Sequence, residues 1–208
     1  MPPAGCRPTG NAIFIRLGHR NAKAPVGQVK QVRIRDVSVV VPAGKPDLGY
    51  EMEGPALRYP HNIFPASITG LPGHPVEDVS LENIEIIYRA RSNKDSGWFR
   101  LDTLERVPER EADYPEFSMF GELPAWGLYV RHVRGLHLKG VTLRHLDDSF
   151  RPAAIFDDVQ GLGIDGFHVP RTPTAGPGPV LVLRGVGGLE MKRVDVPGGG
   201  GAKAVLRL

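Results

Sequence analysis

The sequence contains a single cysteine, Cys6, among its 208 residues. One cysteine cannot form an intramolecular disulfide, which excludes the small disulfide-stabilised domains found in many secreted proteins. A core of stacked β-strands does not depend on disulfides, however, so the shortage of cysteine says little about the cellular compartment.

Long apolar runs are also missing from the sequence. No stretch of ~18 consecutive apolar residues is present, so we predict no membrane-spanning helix. Residues 1–6 have no charged segment followed by an apolar core, so they do not resemble a signal peptide. The chain by itself therefore does not indicate where the protein is located.

No pattern in the sequence predicts a cofactor, a metal or a nucleic-acid partner. The histidines show no zinc-binding spacing with cysteines or carboxylates, and no glycine-rich loop opens a helix to hold a phosphate. The net charge is +3 and the basic residues are scattered, which argues only weakly for an anionic partner. We interpret the histidines as surface residues: His61, His74, His132, His137, His145 and His168.

Turn-forming residues, by contrast, are abundant. The chain has 26 glycines and 20 prolines, and 41% of its residues are hydrophobic. Such a composition is typical of a β protein with many turns and a true core, rather than of a helical protein.

One eight-residue pattern recurs along the chain. In residues 79–86, apolar side chains hold the first, third, sixth and eighth positions, and Asn83 at the fifth position tolerates a tight or left-handed bend. Two short strands that meet at a bend would turn all four apolar side chains inward. The pattern is present as five octets: 32–39, 79–86, 136–143, 162–169 and 189–196.

The octets begin 47, 57, 26 and 27 residues apart. The last two intervals are nearly equal, and the first two fit the same unit with loops inserted at 42–65 and 88–125. No octet can bury its apolar side alone, so the repeat predicts a stack. We predict an all-β fold, a single solenoid domain over 1–208 with roughly five to six coils. An antiparallel β-sandwich is the alternative.

Several segments carry a family resemblance. They are residues 62–74 with 79–84, residues 114–121, residues 123–132 and residues 151–159. Together they resemble the C-terminal half of bacterial polygalacturonase-like proteins of glycoside hydrolase family 28, over roughly residues 12–170 and including the loops. The resemblance implies a right-handed parallel β-helix, a polysaccharide or oligosaccharide substrate of the pectin type, and an extracellular or periplasmic full-length protein.

The catalytic segments of that family are largely missing here. The Asn-Thr-Asp, Gly-Asp-Asp and Gly-His-Gly segments are absent, and the Arg-Ile-Lys segment has only a partial counterpart at Arg16, Leu17 and Gly18, which lacks the lysine. We therefore predict no catalytic residue within the chain. The expectation is a fragment or a degenerate relative, with the catalytic acids upstream of Met1.

Arg16, His19 and Arg20 are the predicted substrate-binding residues. They lie just after a predicted strand, and arginine can bind a sugar carboxylate through two parallel hydrogen bonds. The alternative is a solvated turn. The aromatic residues of the long loops are candidates for stacking on sugar rings or for holding those loops against the body of the protein: Trp98, Tyr114 and Trp126.

Two pairs of adjacent acids are interpreted as structural. Neighbouring residues on a strand point to opposite faces, so Asp157 and Asp158 cannot easily act on one glycosidic bond. Asp147 and Asp148 are interpreted as loop residues.

The leading hypothesis is the C-terminal part of a glycosidase-like β-helix protein that binds or hydrolyses galacturonate-containing polysaccharide. The alternative is a non-catalytic carbohydrate-binding or structural β-helix. A polysaccharide lyase is a third possibility, but it would need a cluster of acids for Ca²⁺, and the sequence has none.

Overall fold

The structure is a computed structural model that describes residues 10–42, 64–89, 101–146, 151–171, 178–197 and 204–208. Across these residues the chain is mostly β-strand, with one short 3₁₀ helix at Leu101–Arg106. The strands are β1 (Phe14–Arg16), β2 (Lys30–Val41), β3 (Ala66–Thr69), β4 (Val76–Tyr88), β5 (Leu128–His145), β6 (Ala154–His168), β7 (Leu181–Arg184), β8 (Glu190–Asp195) and β9 (Val205–Arg207).

All pairings between these strands are parallel, and they form two rows. The first row joins β1, β3, the start of β5, the start of β6, β7 and β9. The second row joins β2, β4, the remainder of β5, the remainder of β6, and β8. The all-β prediction is confirmed. The antiparallel sandwich is wrong, because its strands would pair in opposite directions.

The octets stack in register along the second row. Their third positions align from Ile34 through Leu81, Leu138 and Ile164 to Met191, and their sixth positions align in the same way. In β4 the four apolar octet residues are at most 2% exposed: Val79, Leu81, Ile84 and Ile86. The inward orientation predicted from the pattern is therefore confirmed.

The predicted bend is present at the fifth position of all five octets. The backbone φ is positive there in each case: 56° at Asp36, 52° at Asn83, 62° at Gly140, 82° at Gly166 and 51° at Arg193. Asn and Asp tolerate this left-handed conformation and Gly adopts it freely, but Arg does not favour it. The bend at Arg193 shows that stacking on the preceding octet sets the local conformation even where the residue is unsuited.

A second column of bends precedes each octet by one residue, and the repeat pattern gave no sign of it. Its members all have positive φ and differ in residue type: Gln31, Asp78, Gly135, Gly161 and Gly188. Each bend separates the first residue of an octet from the residues just before it, which are themselves paired between neighbouring strands, as Lys30 is with Glu77. The two columns of bends therefore flank the short first half of each octet.

The first row is covered on both faces. Its inward residues, such as Val130 and Phe156, belong to the main core, and its outward residues Tyr129, Ile155 and Val182 form a second apolar cluster. Residues 101–125 supply the other side of that cluster, with Leu104, Val107, Met119, Phe120 and Leu123. A parallel sheet buried on both faces carries apolar residues at successive positions, as this row does.

The two predicted insertions are described only in part. Residues 43–63 of the first insertion and residues 90–100 of the second lie outside the described residues. The 3₁₀ helix Leu101–Arg106 overlaps the first two residues of the charged run 105–111. None of the described helical residues forms a segment long and apolar enough to cross a membrane.

Candidate functional site

A column of polar residues occupies the last paired position of the first row. In register, the column contains Arg16, Thr69, Arg131, Asp157 and Arg184. The side chain that follows an inward apolar residue on each strand points away from the main core, so the column faces residues 101–125. Several charged side chains of this column contact the segment beside it.

Asp157 lies at the centre of the column and is only 2% exposed. Arg184 contacts both carboxylate oxygens, with Nε 2.6 Å from Oδ1 and Nη2 2.8 Å from Oδ2. From the other side, Nε of Arg131 lies 3.3 Å from Oδ2, close enough for an ion pair although not aligned for a hydrogen bond. Both oxygens of Asp157 are therefore occupied by protein cations, and the structural interpretation of this residue agrees with its contacts.

The arginines of the column also hold residues 105–113, which we call the anchored loop. Arg131 donates from Nη1 to the carbonyl oxygen of Val107 at 2.7 Å and contacts Oε1 of Glu109 at 3.0 Å. Arg184 contacts Oε2 of Glu105 at 3.0 Å. Each guanidinium thus joins a strand of the first row to the loop that covers it.

Arg16 anchors the far end of the same loop. Its Nη1 donates to the carbonyl oxygen of Asp113 at 2.9 Å, and its Nη2 donates to the carbonyl oxygen of Arg110. Burial lowers the pKa of Arg16, and the Asp113 carboxylate opposes that effect. Much of the guanidinium predicted to bind substrate is therefore engaged with the backbone of the anchored loop.

His132 bridges the anchored loop and β6. Its Nδ1 lies 2.6 Å from Oδ2 of Asp158, and its Nε2 lies 3.1 Å from Oε1 of Glu109. A neutral imidazole has a single N–H, so two carboxylates are satisfied only by the protonated ring. Burial alone would lower the pKa of His132, but the hydrogen bonds to Glu109 and Asp158 outweigh it and raise that pKa.

The remaining predicted substrate-binding residues lie beside the same loop. His19 donates from Nε2 to the carbonyl oxygen of Ala24 at 2.8 Å, and its backbone N–H donates to the carbonyl oxygen of Glu111 at 2.6 Å. The Arg20 guanidinium lies over the ring of Tyr114, 5.1 Å from its centroid. The structure therefore brings Arg16, His19 and Arg20 together against residues 110–114.

Two histidines interpreted as surface residues are not at the surface. The side chain of His132 is only 11% exposed because two carboxylates and the anchored loop surround it. His145 is 6% exposed because its ring packs against Trp126, with 5.1 Å between the ring centroids. His74 and His137 are exposed as expected, and His168 is half-exposed beside Asp195.

Trp126 is part of the main core and is 5% exposed, so its ring is not available for stacking on a sugar. It contacts Tyr88 edge to face at 5.7 Å. The Tyr88 hydroxyl donates to the carbonyl oxygen of Gly127 at 2.6 Å, and burial raises the pKa of Tyr88. Other predicted candidates lie outside the described residues: His61, Trp98, Asp147 and Asp148.

The octet pattern does not predict that the residues of the column lie side by side. A signal for it was present, because the strands beginning at Leu128, Ala154 and Leu181 each have three apolar residues followed by Arg131, Asp157 or Arg184. Positive, negative and positive side chains thus follow one another at the same position of three successive strands. Such an alternation indicates that these side chains contact each other. It becomes visible only when the first-row strands, rather than the octets, are aligned.

The described residues contain no group of three or more His, Cys, Asp or Glu side chains placed to hold a metal ion. Comparison with protein-family models, with curated proteins and with solved structures finds no match to this chain.

Proposed function

We propose that this chain forms coils of a right-handed parallel β-helix of the polygalacturonase-like type, and that it binds a galacturonate-containing polysaccharide without hydrolysing it. Parallel pairing in two rows, with octets stacked in register and bends in columns, supports the β-helix. The resemblance to glycoside hydrolase family 28 supports the choice of ligand.

The observation that carries the binding proposal is the exposed pair of Arg20 and Tyr114. Tyr114 remains 53% exposed although Arg20 lies over its ring. Sugars with a carboxylate need an apolar face to contact the ring carbons and a cation to bind the acid group. Arg20 and Tyr114 supply both features side by side, next to the anchored loop.

The state of the carboxylates favours binding over hydrolysis. An inverting glycosidase needs one carboxyl group to protonate the leaving oxygen and a second to activate water. Carboxylates of the anchored loop and of β6 are described near Arg20 and Tyr114. Asp157 forms ion pairs with Arg131 and Arg184, while Glu109 and Asp158 are bonded to His132. Carboxylates engaged in this way do not offer a free acid and base to a substrate.

Isothermal titration with oligogalacturonate tests the binding proposal. We expect Arg20→Ala and Tyr114→Ala each to weaken binding by about tenfold, because each removes one of the two contacts. Arg35→Ala is the matched control, since it removes an exposed arginine from the second row. Equal losses in all three variants would indicate only nonspecific attraction to positive charge, and no loss in any of them would place the site elsewhere.

The hydrolytic alternative is tested on the same protein by measuring reducing ends released from polygalacturonate. We expect no release above the buffer blank. Release that survives purification and is lost in Asp158→Asn or Glu109→Gln would show that these acids act on the substrate, and the non-catalytic proposal would then be wrong.

A further inference from the structure

Arg20 lies on a short turn that is closed by hydrogen bonds. We call residues 19–24 the Arg20 turn. The backbone N–H of Ala24 donates to the carbonyl oxygen of Asn21 at 2.9 Å, and the N–H of Lys23 donates to Oδ1 of Asn21 at 3.1 Å. The Asn21 side chain thus replaces a backbone acceptor, as it does in many tight turns. These bonds fix residues 21–24, but neither of them spans Arg20.

His19 supplies the bond that spans Arg20. Its Nε2 lies 2.8 Å from the carbonyl oxygen of Ala24. A carbonyl oxygen can only accept, so Nε2 carries the proton and donates it. The bond joins the residue before Arg20 to the far end of the turn, and Arg20 therefore lies within a closed ring of chain.

The backbone of His19 also attaches the Arg20 turn to the anchored loop. Its N–H donates to the carbonyl oxygen of Glu111 at 2.6 Å, three residues before Tyr114. Just before the turn, the N–H of Leu17 donates to the carbonyl oxygen of Thr69 at 2.9 Å, so the chain is held against β3 up to this point. His19 thus connects the turn that carries Arg20 with the segment that carries Tyr114.

Arg20 depends on this backbone more than its neighbours do. Arg16 is held by two carbonyl oxygens of the anchored loop, and Arg110 contacts Asp113 at 3.4 Å. Within the described ranges Arg20 forms no ion pair, and its exposed guanidinium contacts only the ring of Tyr114. A cation over an aromatic ring at an exposed site is held weakly. The position of the guanidinium is therefore set largely by the turn.

We propose that His19 is a positioning residue of the galacturonate site, and that its ring closes the Arg20 turn so that Arg20 stays over Tyr114 before a ligand arrives. This inference rests on the proposed function, because it assigns His19 a role in the same site. An arginine that is already oriented loses less conformational freedom when it binds a carboxylate, and that difference appears as affinity.

Direct binding of the sugar carboxylate by His19 fits the contacts less well. The Ala24 carbonyl occupies Nε2, and a neutral imidazole that donates from Nε2 has only an acceptor left at Nδ1. A carboxylate also has only acceptors, so the two groups cannot form a hydrogen bond. Arg20 keeps its donors available, which makes it the group that contacts the ligand.

NMR of the free full-length chain tests the positioning role without any ligand. We expect nuclear Overhauser contacts between the Arg20 side chain and the Tyr114 ring in the unmodified chain. They should be lost or strongly weakened in His19→Ala, which removes the ring. His19→Gln can still donate to the Ala24 carbonyl and should largely retain them. Contacts of full strength in His19→Ala would overturn the inference.

A double-mutant cycle then tests the consequence for binding of oligogalacturonate. We expect His19→Ala to weaken binding about fivefold and His19→Gln to restore most of the loss. In the Arg20→Ala background, His19→Ala should cause no further loss, so the double variant should bind about tenfold more weakly than the unmodified chain. Independent contacts would multiply to about fiftyfold, and that result would contradict a role through Arg20.

His168→Ala is the matched control, because it removes a half-exposed histidine that bonds to Asp195 on the second row. It should leave both the affinity and the Arg20–Tyr114 contacts unchanged. No binding by the unmodified chain, or no effect of Arg20→Ala, would contradict the proposed function. Normal binding by His19→Ala, together with a loss in Arg20→Ala, would leave that function standing and overturn only the role of His19.

Discussion

Asp157 is the residue on which the charged column depends. It is buried, and it lies between the guanidinium groups of Arg131 and Arg184, which also hold the anchored loop. A buried ion pair is not in itself strongly stabilising, but removal of one partner leaves the other charges without compensation. The stability of this region should therefore be sensitive to loss of the carboxylate.

We predict that Asp157→Asn lowers the free energy of unfolding by about 3 kcal/mol, because Arg131 and Arg184 lose their common counter-charge. Urea denaturation measures the change. Asp165→Asn is the control, since Asp165 makes an exposed ion pair with Arg193 and its loss should cost less than about 1 kcal/mol. Similar losses in the two variants would mean that Asp157 has no special structural role.

At the scale of elements, charged side chains hold the anchored loop against the first row. Its contacts reach Arg16, Arg131, His132 and Arg184, so four side chains from β1, β5 and β7 hold one segment. The loop contributes Val107 to the cluster that covers the outward apolar residues of the first row, and it leads directly into Tyr114, which lies beside Arg20. Release of the loop would therefore affect both stability and the proposed binding site.

We predict that the anchored loop is held less firmly as the pH rises above neutrality. The pKa of His132 is raised in the folded protein, by Glu109 and Asp158 against the opposing effects of burial and Arg131. The pKa of an unperturbed histidine, as in the unfolded chain, is about 6.5. Because the pKa of His132 is higher in the folded protein, proton binding stabilises the folded state fully at pH values below that of the unfolded histidine. This stabilisation is lost as the pH rises through the pKa of the folded protein.

Hydrogen exchange of residues 105–113, corrected for intrinsic rates, measures this effect. Protection should fall as the pH increases from about 6 to 8 in the unmodified chain. In His132→Gln the protection should be weaker and nearly independent of pH over the same range. A pH dependence that persists in His132→Gln would assign the effect to another group.

The octets and the anchored loop differ in how much of their structure the sequence predicts. Inward residues and bends of the octets follow from a pattern within eight residues, so they were predicted correctly, including the bend at Asn83. Arg16, His19 and Arg20 are close together because they are close in the chain. The path of the loop was not predicted, because its anchors join residues from 22 positions apart, for Glu109 and Arg131, to 97 positions apart, for Arg16 and Asp113.

The two incorrect predictions, for His132 and His145, also arise from contacts between segments that are distant in the sequence. His132 and His145 were interpreted as surface residues because a single histidine in the sequence carries no sign of what packs against it. Burial of His132 depends on Glu109 and Asp158, and burial of His145 depends on Trp126, all of which lie in other segments. Such contacts are set by how neighbouring repeats align, and the octet pattern did not determine the alignment of the first row.

At the scale of the whole molecule, stability should depend on position in the stack. In a repeat architecture each unit contacts only its neighbours, so an inner unit has two interfaces and an outer unit has one. Inner octet residues are almost completely buried, while those of β2 and β8 are half-buried. The same substitution at equivalent octet positions should therefore have unequal effects.

We predict that Leu138→Ala costs about 3 kcal/mol of unfolding free energy, because Leu138 is 1% exposed at the third position of the middle octet. Ile34→Ala, at the third position of the octet in β2, should cost roughly half as much, because Ile34 is half-buried. Urea denaturation of both variants provides the comparison. Equal costs would contradict the dependence of stability on position in the stack.

The most direct test of the proposed function is a titration of the unmodified chain with oligogalacturonate and with the same oligomer after complete methyl esterification. Esterification keeps the sugar rings and removes the carboxylate charge. We predict measurable binding of the acid form, loss of most of that binding on esterification, and no reducing ends released during the titration. Equal affinity for the two forms, or no binding of the acid form, would contradict the proposal that this chain recognises a galacturonate-containing polysaccharide.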